Sequence, residues 1–178
     1  MRVEELADRL EKLDAVGEST NALVEALGVL RDPLLLWRVA DSVVPYPKIM
    51  GAIYQRASEL GASENTALGY LALSHAFDGD MDSAAKVLGS LPLSTRDPVV
   101  LAAWVLLGNG IPEQIDRLEE GLRRCPGSIR LWRMLATKAL RAGQLDKARE
   151  AHLWLFTHEV DHREKDRLAK IISEHRWA

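Results

Sequence analysis

The sequence predicts an all-α chain of helix pairs recurring about every thirty-one residues, and three observations carry that prediction. A turn residue is followed five positions later by a small or aliphatic one at Gly17 and Ala22, Pro47 and Ala52, Gly79 and Ala84, Gly110 and Ile115, and Gly143 and Ala148, which sets the anchors 30, 32, 31 and 33 residues apart. Between anchors the apolar residues keep helical spacing. No segment alternates apolar and polar residues as a half-buried strand would.

Each unit then reads as two helices around its anchor. In the first, residues 3–30, Val3, Leu6, Leu10 and Leu13 share one helical face, and Leu23, Leu27 and Leu30 share another beyond Gly17. The second, 32–61, opens with "RDPLLLW": Asp32 can accept a backbone N–H at the helix start, and Pro33 stands where a missing donor costs nothing. The third, 63–93, starts at Ser63 and carries "ENTALGYLALSHAF" and "MDSAAKVLGSL" on either side of Gly79. "RDPVVLAAW" opens the fourth, 97–127, at a point 65 residues after the first Arg-Asp-Pro, which is two periods. Ser128 starts the fifth, 128–160. A last segment, 162–176, puts Leu168, Ile171 and Ile172 on one side and charges on the other, as a cap over an otherwise exposed core requires.

The fifth unit resembles the tetratricopeptide repeat (TPR) family. "LWRMLATKALRAGQLDKAREAHLWL" sets Trp132, Leu135, Gly143 and Ala148 at the family's spacing, with Ala136 for its first Gly and Ala139 for its Tyr. The resemblance spans residues 3 to 176 and implies one domain: a right-handed superhelical array of antiparallel helix pairs, five TPR-like repeats and a capping helix. It also implies a concave face lined by the first helix of each unit, where such arrays bind. On that frame the N-terminal strip is acidic (Glu4, Asp8, Glu11, Asp14). The candidate groove holds Trp37, Arg38, Asp41, Tyr70, Leu73, Phe77, Trp104 and Leu107 in the middle, and Arg130, Arg133, Thr137 and Arg141 at the basic end. The family's carboxylate clamp needs Lys and Asn on these helices; Arg133 stands at the Lys, but Thr137 and Trp104 stand where Asn would be.

Composition limits the alternatives. With 178 residues, 47% of them hydrophobic, the chain can bury a core, and a net charge of −3 gives no global field that would pull it onto nucleic acid. Cys125 is the single cysteine, so no internal disulfide forms, which suits a cytoplasmic protein. The start "MRVEELADRLEKLD" has no apolar run of signal-peptide type, and no apolar run is long enough to span a bilayer. No Gly-rich phosphate loop is present.

"HEVDH", from His158 to His162, matches the HExxH pattern of zinc proteases. Two histidines share a face at i and i+4 only on a continuous helix, and the repeat frame sets this pentapeptide across a helix end. Lys165 and Leu168 occupy the extended pattern's later Gly and His. A metallopeptidase is therefore a remote alternative, and no cofactor or metal is expected. The reading is a non-enzymatic scaffold or adaptor whose groove takes a peptide or helix of a partner protein. RNA binding through the fifth unit is the rival: between Gly121 and Arg149 stand Arg123, Arg124, Arg130, Arg133, Lys138, Arg141, Lys147 and Arg149 against Asp146. Trp177, close to the last residue, is expected to find little burial and is the candidate contact for a homo-oligomer or larger complex.

Overall fold

The computed structural model of the chain describes residues 2–91 and 95–177. Among these residues every regular element is an α-helix, eleven in all, and they fall into two compact units, Met1–Ala103 and Trp104–Ala178. In the first unit α1 (Val3–Ala15) pairs with α2 (Thr20–Leu27), α3 (Pro33–Ser42) with α4 (Pro47–Glu59), and α5 (Glu64–Phe77) with α6 (Met81–Gly89). Consecutive pairs stack, α1 on α3, α2 on α4 and α4 on α5, which is repeat-like packing. α7 (Pro98–Leu106) follows. In the second unit α8 (Ile111–Arg124) packs on α9 (Ile129–Arg141), α9 on α10 (Leu145–His158), and α10 on α11 (His162–Glu174). The third unit's boundary at residue 93 lies outside the described residues.

The helix starts follow from local chemistry. Asp32 accepts from the Leu34 N–H at 2.8 Å, Asp97 from Val99 at 2.8 Å, Ser63 from Thr66 at 3.3 Å and Ser128 from Leu131 at 3.2 Å. Three anchors end first helices: Gly17, Gly79 and Gly143 sit at φ 80°, 86° and 69°, a region an L side chain resists. The residue after each donates back five positions, as Gln144 does to Ala139 at 2.9 Å, closing the Schellman motif. The other two anchors serve differently. Pro47 is the first residue of α4, and Gly110 immediately precedes α8.

In the first unit Leu6, Leu10, Leu23, Leu27, Leu36, Ile49, Met50 and Ile53 form the fully buried centre. Gly69 lets α5 come close to the first turn of α7, since a Cβ there would lie 2.9 Å from the Val100 nitrogen. Arg56 on α4 is also buried. It donates to the Leu30 carbonyl at 2.5 Å, with the Gly28 carbonyl at 3.5 Å, and to Glu59 at 2.6 Å, thereby satisfying backbone acceptors just past the end of α2. In the second unit Ala136, Ala139, Ala148 and Ala151 are buried on α9 and α10, so the two helices meet through small side chains.

Candidate partner-binding surfaces

The first unit draws part of the expected groove into its own packing. Trp37 on α3 stacks on Tyr70 of α5 with ring centroids 5.7 Å apart. The Tyr70 hydroxyl donates to Asp41 at 2.5 Å, and Tyr70 is only 4% exposed. Leu73 is half-buried against the core, whereas Arg38 is exposed and Phe77 is 61% exposed. The acidic strip is partly engaged: Glu11 accepts from the Val44 N–H at 2.8 Å, Asp8 pairs with Lys12 at 2.7 Å, and Asp14 lies 3.7 Å from Lys48.

In the second unit Trp104 is half-buried, with the Arg117 and Arg124 guanidinium carbons 5.1 and 5.8 Å from its ring centroid. Leu107, half-buried, lies just past the end of α7, and Arg130 is half-buried in the first turn of α9. Arg133, Thr137 and Arg141 stand exposed at i, i+4 and i+8 of α9, one face of the helix. They form a ridge between two clefts. One, about 330 Å³, is completed by Leu106, Met134 and Lys138. The other, about 240 Å³, lies among α9, α10 and α11, with His152, Arg167, Leu168 and Ile171 in its walls.

Electrostatics distinguish these groups. Arg133 bonds to the buried Glu159 at 2.5 Å. The Glu159 carboxyl is held below the usual carboxylate range, first by the Asp161 N–H, then by Arg133, against the opposing effect of burial. Lys138 donates to Gln114 at 2.5 Å; burial lowers its pKa and the Arg141 charge lowers it further. Burial likewise pushes His152 below its ordinary value, with the His175 and Arg167 charges adding to the shift, while its Nδ1 lies 2.7 Å from the Ala148 carbonyl. A neutral imidazole buried on folding makes the unfolded chain the better proton binder. The stability His152 contributes is therefore complete above about pH 6.5 and is lost as pH falls through its lower folded pKa. We expect the melting temperature of the second unit to fall as pH is lowered from 7.5 into this range, and the His152→Phe variant to show a shallower fall.

"HEVDH" is taken up by a helix junction. His158 ends α10 and stacks on Trp154 with centroids 4.0 Å apart, and Trp154 stacks on Trp132 at 4.9 Å. Glu159 pairs with Arg133, and Asp161 caps α11 by accepting from Arg163 at 2.8 Å and Glu164 at 3.1 Å. His162 is exposed in the first turn of α11. Among the described residues no three His, Cys, Asp or Glu side chains gather where they could hold a metal ion.

The basic count in the fifth unit also changes once the fold is in view. Arg123 and Arg124 pair with Glu120, and Lys147 pairs with Glu119, acids that lie just N-terminal to the basic stretch. With Arg133 on Glu159, at least four of the eight cations meet a carboxylate. Trp177 departs from its expectation of little burial: it is 9% exposed, packed on His152 at 5.2 Å and His175 at 4.5 Å. Sequence reasoning passed over Arg167 and His152. Spacing in the sequence does not single out Arg167: it stands 34 residues after Arg133 (167 − 133), outside the 30 to 33 that separate the anchors, and only the docking of α11 brings it to the cleft that Arg133 lines.

Among the described residues no helix is long and apolar enough to cross a membrane. Comparison with known proteins finds no matching family model, no similar curated protein and no similar solved structure.

Proposed function

We propose that this chain is a non-enzymatic interaction scaffold or adaptor, TPR-like in its repeats, that binds a peptide or helix of a partner protein in the cytoplasm. The observation that carries the reading is the exposed ridge of α9, where Arg133, Thr137 and Arg141 separate two clefts within one unit. A ridge between grooves gives an extended or helical segment side-chain sites on both flanks. Local carboxylates already pair with at least four of the eight basic residues that would track a phosphate backbone, which favours protein over RNA as the partner.

A random peptide library displayed on phage tests this. Thr137 and Arg141 are exposed, so the Thr137→Glu, Arg141→Glu double variant should keep its circular dichroism spectrum. Peptides enriched on the wild-type chain are expected to bind that variant at least tenfold more weakly. Equal binding to both proteins, or no enrichment at all, would remove the ridge as a recognition surface.

A further inference from the structure

Resting on that reading, we propose that the cleft among α9, α10 and α11 receives one aliphatic side chain of the partner peptide, with an acidic neighbour of that residue held at the rim by Arg141 and Arg167. The floor is apolar: Leu140, Leu155, Leu168 and Ile171 line it. At about 240 Å³ the cleft falls below the roughly 300–1,000 Å³ of sites that enclose a whole small molecule, so it suits a single side chain of something larger.

The rim supplies the charge preference. Arg133, Arg141 and Arg167 all line the cleft, while the carboxylates paired with them are Glu159 and Glu164. Three guanidiniums against two carboxylates leave positive charge in excess. Arg141 makes no ion pair among the described residues, and it is exposed. His152, kept neutral by burial, does not add to that charge but offers a polar edge in the wall. An acidic residue beside an aliphatic one satisfies rim and floor together; a basic or wholly polar segment satisfies neither.

The experiment uses the full chain and fluorescein-labelled peptides Gly-Asp-Leu-Asp-Gly, Gly-Asn-Leu-Asn-Gly and Gly-Asp-Gly-Asp-Gly, with binding read by anisotropy and location by amide chemical shifts. The Asp-Leu-Asp peptide is expected to bind at least fivefold more tightly than either control and to shift Leu140, Leu168 and Ile171. Arg141→Gln and Arg167→Gln, separately, are each expected to weaken it several-fold without changing the fold. Equal affinity for the three peptides, shifts elsewhere, or tighter binding of octanoate than of the Asp-Leu-Asp peptide would overturn the proposal. The phage selection separates the two levels: enriched peptides that lose affinity on the ridge variant but contain no acidic-aliphatic pair would leave the scaffold reading standing and this one refuted.

Discussion

Replacing Arg56 with methionine is expected to lower the stability of the first unit by about 2–4 kcal/mol, measured by urea denaturation followed by far-ultraviolet circular dichroism. Methionine can fill much of the space of the aliphatic stem, so the loss isolates the guanidinium. That group reaches from α4 to the Leu30 carbonyl at 2.5 Å and to Glu59 at 2.6 Å, with the Gly28 carbonyl at 3.5 Å. Its removal leaves a backbone acceptor without its charged donor, and hydrogen bonds to charged groups contribute roughly 1.5–3 kcal/mol each. Lysine keeps the charge but cannot span a carbonyl and a carboxylate with one planar fork, so Arg56→Lys is expected to recover only about half the loss. A methionine variant as stable as the parent would show that packing of the stem, and not the bridge to the end of α2, is what Arg56 contributes.

Trp177→Ala is expected to cost the second unit about 2–4 kcal/mol, a little under the roughly 3–5 kcal/mol of Trp truncation in a core, because the last turn can fray. Trp177 closes the end of α11. Its N–H donates to the Ile172 carbonyl at 3.0 Å and Arg176 donates to Ser173 at 3.0 Å, a Schellman motif in which Arg176 takes φ 55° where glycine would be free of strain. Arg176→Gly is therefore expected to gain about 1 kcal/mol, opposite in sign to the neighbouring variant. Sedimentation of Trp177→Ala tests the association contact at the same time. A side chain buried in its own unit predicts a lower melting point at unchanged mass, whereas loss of a dimer at unchanged melting point would assign the indole to an interface.

What the sequence revealed and what it hid have separate physical causes. Helix starts at Asp32, Ser63, Asp97 and Ser128 were legible because the capping interaction spans two or three residues and so is written locally. The turns at Gly17, Gly79 and Gly143 were legible because positive φ selects glycine. Pro47 and Gly110 fell in the same register yet do different backbone work, since periodicity fixes where a turn comes and not its geometry. Of the candidate groove, helical spacing put Arg133, Thr137 and Arg141 on one face of their helix, and the repeat resemblance chose that face. The inward turn of Tyr70 onto Asp41, the grip of Arg117 on Trp104 and the burial of Trp177 did not, because each depends on which helix lies alongside. The same limit hid Arg167, whose place beside α9 is set by how α11 docks.

The placement of the five tryptophans has a practical consequence. Trp37 is the sole indole of the first unit, and Trp104, Trp132, Trp154 and Trp177 belong to the second. Because Trp132 and Trp154 lie face to face, their strong transition dipoles couple and should yield a paired positive and negative band in the far-ultraviolet dichroic spectrum. Trp37 against Tyr70 supplies an independent emission signal, obtained as the difference from a Trp37→Phe chain. One cuvette thus carries a separate optical channel for each half of the molecule, enough to tell whether they melt in concert or in sequence.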